Sequence, residues 1–567
     1  MNKDPKQLID RLPVKRRYLR WGTWLVVAIF GYAIFLQWQQ QFGAPGSSRQ
    51  QAGQPPQTEL PSELRQQAPR QATEPSSPTP QVLDAPEDAD RADTDSSSNA
   101  DTIRVVTDKL ALDISLEGGD LVAAWLLDYK REQGNEEPIQ LLRNNGKTYI
   151  AQNGLVGRDG PDAKTRPRFR AGQSEYRLQG DELKVELVAT AGDLELTKIY
   201  VFNRDSYLIQ VSQEVLNKGG GEASMRPFGQ ILRGDFEPES HASSGFGIQP
   251  YVGAALTTPE STYEKIDYDD MRDADLRVEV QGGWMAMVQH YFLTAWLAQP
   301  DEQNVYLTRK ARNDKFIMGY VGETRSIAPG EHDRFDARLY IGPKIIARLE
   351  PLAPNLDLTV DFGWLWFLAS PLFHLLDWFH GKLGNWGVAI ILLTLLVKLV
   401  FFYPSQLSYR SMAKMRKLAP QMKQLRDSYA SDKQKLQQEM MALYKREKVN
   451  PLGGCLPILI QMPVFIALYW MLLESVELRH APFALWITDL TAIDPYFILP
   501  LLMGATMLIQ QLLSPAPPDP TQAKIMRMLP IVFTFMFLWF PAGLVLYWVT
   551  NNTLSILQQW VITRSIK

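Results

Sequence analysis

Five long stretches with almost no charge interrupt this chain, and each is a candidate membrane crossing. Crossing about 30 Å of hydrocarbon as a helix takes roughly 20 residues, fewer where the bilayer thins. The first stretch, Trp21–Trp38, is uncharged and has tryptophan at both ends, which suits the two interfaces of a spanning helix. No small-x-small cleavage site follows in QQQFGAP, so an uncleaved anchor is expected. The second runs from Trp386 to Ser408 with one interruption, Lys398; the third covers 455–473 and the fourth 496–513. No charge occurs between Arg527 and Arg564. As one helix that stretch would reach about 54 Å at 1.5 Å per residue, too long for a single crossing. Pro541-Ala542-Gly543 breaks it into 528–541 and 543–563. Six transmembrane helices are expected.

Other segments carry other periods. Residues 39–101 read as a disordered tether: the part from 43 to 100 holds nine prolines, and its only large aliphatics are Leu60, Leu64, Val82 and Leu83. From 102 to 345 the period is two. Leu110, Leu112, Ile114 and Leu116 alternate before Gly118-Gly119, as do Leu183, Val185 and Leu187, and Phe335, Ala337, Leu339 and Ile341. Alternation means strands with one buried face, and an antiparallel β-sandwich is expected. Residues 358–381 place Ser370, His374, Asp377 and His380 on one stripe of an otherwise apolar helix, an amphipathic pattern suited to a membrane surface. Residues 409–450 read as a helical hairpin. Met412, Met415, Leu418, Met422 and Leu425 form one seam and Leu436, Met440 and Leu443 a second, with the turn near 429–432, where Ser431 and Gln434 have capping-box spacing.

Charge changes the picture by giving it a direction. The chain has 567 residues, too many for one core, and a net charge of -3, which excludes a basic nucleic-acid binder. Its mean hydropathy of -0.19 looks soluble only because the apolar runs are averaged away. Residues 1–20 hold seven Lys/Arg against two acids, and 409–450 hold eleven against four. The 474–495 loop holds one Arg against four acids. Positive loops stay in the cytoplasm, so both termini, the hairpin, the 514–527 loop and the 564–567 tail are expected inside, and the sandwich outside.

Candidate chemistry is sparse. One cysteine, Cys455, excludes an intrachain disulfide framework and a multi-cysteine zinc site. His241, His290 and His332, with acids such as Glu331, match no metal or triad spacing, and no Gly-x-x-x-x-Gly-Lys phosphate loop occurs. Lys398 is the one ionisable residue well inside an expected span. A cation there faces protein or a wet cavity, or snorkels to the inner interface. Thr394 stands one turn away, and Gln461, Gln510, Asn551 and Asn552 add polarity to other spans.

Four segments carry a family resemblance: EKVNPLGGCLPILIQMPVFIALYWML (447–472), LWFPAGLVLYWVTNNTLSILQQ (538–559), SMAKMRKLAP (411–420) and APFALWITDL (481–490). Together they resemble the YidC/Oxa/Alb family of bacterial inner-membrane protein insertases. The resemblance implies a non-enzymatic insertase and chaperone in the inner membrane, needing no cofactor or metal, with a mutarotase-like periplasmic sandwich. It implies a hydrophilic groove open to cytoplasm and lipid, with Lys398 in a position where relatives often carry arginine. Thr394, Gln461, Phe465, Met503, Met536, Trp548 and Asn551 would line the substrate path. Nascent membrane proteins and the bilayer are the implied partners, with the Sec translocon, the ribosome and targeting factors beside them. The chain ends at RSIK, so the 409–450 hairpin rather than a tail is the candidate for ribosome contact. The alternative is a small-solute channel or transporter, which predicts a pore through both leaflets or paired half-helices from internal repeats.

Overall fold

The computed structural model describes residues 101–238, 250–429, 432–447, 449, 456–514 and 520–566. The expected N-terminal anchor, nearly all of the tether, Cys455, Ser431 and His241 lie outside the described residues. The chain divides into two compact units, Met1–Leu83 with Val400–Pro404, and Asp84–Leu399 with Ser405–Lys567. Of the first, only Val400–Pro404 is described; one helix ends there and the next begins.

In the second unit, twenty strands between Thr102 and Pro343 form an eleven-stranded and a nine-stranded sheet. Along Glu182–Ala191 the alternation holds, with Val185, Leu187 and Ala189 buried, Lys184, Glu186 and Val188 between them on the open side, and Leu183 half-buried. Elsewhere it is broken by Ala111, buried between Leu110 and Leu112, and by Tyr340, buried between Leu339 and Ile341. Strands Glu182–Ala191, Leu194–Asn203, Leu208–Asn217 and His332–Pro343 form an antiparallel run in which Val211 faces Tyr200 on one side and Ala337 on the other. One pairing departs from the wholly antiparallel expectation: Thr102–Val106 lies parallel to the short strand Glu175–Arg177. It closes an edge by a long return of the chain, which a hairpin cannot do.

A polar knot ties the sheets together. Gly118 and Gly119 turn the chain with φ of 71° and 66°, a conformation that glycine adopts without strain. A Cβ on Gly118 would also strike the Arg166 guanidinium. The turn brings buried Asp120 to Arg166, which also pairs with buried Asp162. From the opposite sheet, Lys198 Nζ donates to the carbonyls of Gly118 (2.7 Å) and Asn153 (2.9 Å), and the Tyr200 hydroxyl donates to Gly119 O. Burial, with Arg166 beside it, pushes the Lys198 ammonium down to about 7.

Helices follow the sandwich: α1 (Trp366–Leu383), α2 (Trp386–Val400), α3 (Phe402–Ser428), α4 (Lys433–Arg446), α5 (Leu456–Glu474), α6 (Ile498–Leu513), α7 (Pro520–Met536) and α8 (Ala542–Ile566). Where the sequence predicts one helix over 386–408, the chain bends by 67° between α2 and α3. Pro404 falls in the first turn of α3, where its missing N–H is no loss, so it suits a helix that starts anew there. Helix α1 buries Leu368, Leu372, Phe373 and Leu376 and packs on α5, while Trp364, Trp366 and Trp378 stay exposed. Helices α3 and α4 share a cluster of Leu418, Met422, Leu443 and Tyr444, flanked by Met415, Leu425 and Met440. The cap of α4 is Asp432, whose side chain accepts from Lys435 N at 3.0 Å, one residue later than the spacing suggested. Among the described residues no single helix is long and apolar enough to cross a membrane; the bent pair α2–α3 is, by length and composition.

Candidate functional site

Helix α8 is built inside out. Asn551, Asn552, Ser555 and Gln559 are buried, whereas Leu557, Trp560 and Val561 are exposed. In water that arrangement would be unfavourable on both counts, because it desolvates amides and leaves aliphatics wet. Helices α6 and α7 add exposed Leu501, Leu508, Leu512, Ile525, Ile531 and Phe535. An exposed apolar area of this size marks a surface meant for something other than water.

The buried polar face of α8 meets Lys398 from α2. Lys398 Nζ donates to Ser555 Oγ at 2.7 Å, and that hydroxyl donates to Asn551 O at 2.7 Å. Beside this pair lies a cavity of about 330 Å³. One water needs only about 10–15 Å³ of such space, so it has room for several waters. Besides Lys398 and Ser555, its polar lining includes Ser405 and Tyr409 from α3, Gln461 from α5, Gln510 and Gln511 from α6, and Asn551 and Asn552 from α8. Among the described residues that line it there is no carboxylate, so the Lys398 cation is not neutralised there by an acid. The apolar lining consists largely of aromatics and of methionines 462, 507 and 526, whose flexible thioethers adapt to varied surfaces.

The site's geometry follows from local packing. Gln461 Nε2 donates to the Tyr547 hydroxyl at 2.8 Å, fixing α5 against α8. Phe465 stands edge-on to Trp548 with ring centroids 4.5 Å apart, and Phe537 packs on the same indole at 5.4 Å. Lys398, Gln461, Phe465, Trp548 and Asn551 therefore come together around one cavity. Thr394, Met503 and Met536 lie outside its lining. Thr394 is buried one turn from Lys398 with its hydroxyl on Ile390 O at 2.6 Å, Met503 is buried in α6, and Met536 is half-buried at the end of α7. Ser555, the direct partner of Lys398, was not anticipated. Its signal is the spacing of Asn551, Ser555 and Gln559 at successive steps of four, one polar stripe on an apolar helix.

At the start of α6 and of α8, hydrogen bonds tie the connecting segments to the helices. Buried Asp494 accepts from the N–H groups of Tyr496 (3.0 Å) and Leu499 (2.7 Å) and from Trp486 Nε1 (3.0 Å), so it satisfies one free amide in the first turn of α6 from the loop before it. The last apolar stretch is broken earlier than the expected 528–541 and 543–563: α7 ends at Met536, a 3-10 turn covers Phe537–Trp539, and α8 starts at Ala542. There the amides bond back, Ala542 N to Ala492 O and Gly543 N to Leu490 O, both 2.8 Å. A Cβ on Gly543 would sit 3.1 Å from Leu490 O, so the close approach favours glycine.

Elsewhere the chemistry is structural. His290 is buried and stacked on Tyr291, with Nε2 2.9 Å from Leu473 O; His332 is exposed at the start of a strand. No group of three or more His, Cys, Asp or Glu among the described residues could hold a metal ion.

Residues 102–375 match the family described as the YidC periplasmic domain, and residues 378–567 match the 60Kd inner membrane protein family. A relative named membrane protein insertase YidC, from Marinobacter nauticus, is 48% identical over 95% of this chain and 97% of its own length. Another of that name, from Saccharophagus degradans, is 51% identical over 82% of this chain and 84% of its own. A crystal structure of an active YidC insertase with its first transmembrane domain resolved covers 81% of this chain and 92% of its own, at 17% identity and a TM-score of 0.37.

Proposed function

The chain belongs to the YidC family of membrane protein insertases, and we propose that it works through the cavity around Lys398. Its substrates are membrane proteins and its setting is the inner-membrane bilayer, with the sandwich as its periplasmic domain. The observation that carries the groove reading is the inside-out helix α8, which turns amides toward a roomy cavity bearing a cation and aliphatics outward. Such a groove admits a short polar segment of a substrate and shortens its path through hydrocarbon. The substrate's apolar helix then partitions sideways into lipid, which contributes most of the driving force. No nucleotide is needed for that step. Nothing in the family match favours a small-solute channel.

The reading extends to topology. Helices α2 (continuing into α3), α5, α6, α7 and α8, with the anchor at 21–38, make six spans; both termini and the α3–α4 hairpin are cytoplasmic, and α1 lies in the outer interface on its tryptophans. Helix α6, at 16 residues, reaches about 24 Å, so the bilayer thins around it. In this arrangement Thr394, Met503 and Met536 flank the substrate path that Lys398, Gln461, Phe465, Trp548 and Asn551 line. The Sec translocon, the ribosome and targeting factors are partners in this reading, with the basic hairpin facing the ribosome. Cysteines placed at Arg527 and Arg564, with Cys455 replaced by serine, should both be labelled from the cytoplasmic side; opposite sidedness would overturn the six-span arrangement.

Site-specific crosslinking tests the groove itself. A photoreactive residue at Gln461 or Phe465 should crosslink a nascent single-span protein during insertion, and one at exposed Glu182 on the sandwich should not. Crosslinks confined to the sandwich would sink the groove reading.

A further inference from the structure

The sandwich is joined to the groove helix by a buried ion pair. Lys344, which follows the last sandwich strand, places Nζ 2.9 Å from Glu474 Oε2, and each side chain is only 2% exposed. Glu474 ends α5, where a carboxylate faces the negative end of the helix dipole and is disfavoured unless a cation answers it. Lys344 is that cation. Removing both charges from water is costly, and the attraction offsets it only in a good geometry, so this contact has one register where an apolar contact could slide.

Three neighbouring contacts fix the same turn. Lys344 N donates to Tyr291 O at 2.8 Å, the Tyr291 ring stacks on His290 at 3.7 Å, and His290 Nε2 meets Leu473 O at 2.9 Å. From the other side Gly363, at φ 65°, lies so close to Trp470 that a Cβ would stand 3.0 Å from the indole. The last turn of α5 is thus held by the sandwich and by the segment leading into α1. Gln461 and Phe465 lie on the same helix, nearer its start. Pro463 interrupts the backbone bonding between Gln461 and Phe465, so displacement of the last turn is carried directly to Phe465 and reaches Gln461 across the proline.

We propose that Lys344 and Glu474 are positioning residues for insertion: their buried pair sets the axial position and tilt of α5 against the sandwich, and so holds Gln461 and Phe465 at the cavity. This rests on the groove reading above and gives the sandwich a mechanical role in it, as the body against which the groove helix is braced.

The test uses the full-length protein in membranes, at matched levels, with Lys344→Glu, Glu474→Lys and the swapped double variant. Two readouts are taken: the inserted fraction of a single-span reporter, and the spin-label distance between exposed Gln303 on the sandwich and Met462 on α5. Each single variant is expected to broaden the distance distribution and to lower insertion by about tenfold, the scale of a coupling between sites. The swap should narrow the distribution again and restore at least half of the insertion. Single variants with wild-type insertion overturn the proposal, whether or not the distance changes. If the singles do not accumulate, the swap still decides, because insertion well below half of wild type overturns it. Failure of the groove reading is distinguishable: wild-type protein would then give no crosslink from Phe465, whatever the distances show.

Discussion

Arg166→Leu is expected to cost the sandwich about 3–5 kcal/mol, the scale for removing one partner from a buried ionic cluster. Arg166 bonds to both Asp120 and Asp162, and all three side chains are nearly inaccessible to water. It also reaches Asn153 O at 3.1 Å. Without it, two buried carboxylates share one remaining cation, Lys198, whose amine is committed to two carbonyls. For a domain of this size each kcal/mol moves the thermal midpoint by about 2–4 °C, so a fall of about 10 °C is expected. Arg166→Lys should recover only part of it, because a single ammonium cannot present the fork that meets two carboxylates at once. Hydrogen exchange in Thr148–Val156 and Leu194–Asn203 of the full-length protein checks both variants, since those strands face each other across the knot. Unchanged protection in Arg166→Leu would mean that the cluster contributes nothing net to stability.

That knot marks the limit of what the linear pattern discloses. Strands with one wet face were legible because their side chains alternate, as Glu182–Ala191 does; the Phe335–Ile341 pattern alternates only as far as Leu339, since Tyr340 is buried along with Ile341. Thr148–Val156, Trp284–Val288 and Phe292–Leu297 were not legible, because they are buried along their whole length and show no alternation. Trp284, for example, is covered from outside by the chain that leaves the sandwich, its indole donating to Pro354 O at 2.9 Å. Part of the cavity lining was legible at Lys398, where one cation stands out in an apolar stretch, and at the amides of α8. Ser555 was missed because a serine in an apolar helix bonds to its own backbone as readily as to a partner, and here it does both. Lys344–Glu474 could not be read at all: the two lie 130 residues apart, and each alone looks like an ordinary surface charge.

Lys398→Arg is expected to retain insertion, while Lys398→Ala and Lys398→Glu should impair substrates whose translocated segments are acidic. The reasoning starts from the cavity, which holds that cation, amides and hydroxyls but no acid among its described lining. An acidic segment entering it meets an uncompensated positive field. Coulomb attraction across about 6 Å is roughly 3 kcal/mol at an effective dielectric near 20, before desolvation and screening reduce it. That is enough to bias admission and too little to carry a segment across, so the defect should be partial and should depend on substrate charge. Arginine preserves the charge at comparable reach, and the contact to Ser555 asks only for a donor, which guanidinium supplies. Glutamate reverses the field and should harm acidic segments more than alanine does. A lysine that merely snorkels to the interface predicts otherwise: alanine would be tolerated and substrate charge would not matter. The inserted fractions of two reporters that differ only in the charge of the translocated segment separate these outcomes. Equal, wild-type insertion of both by Lys398→Ala, at matched protein levels, would remove Lys398 from the mechanism and leave the apolar partition of the substrate helix to do the work without it.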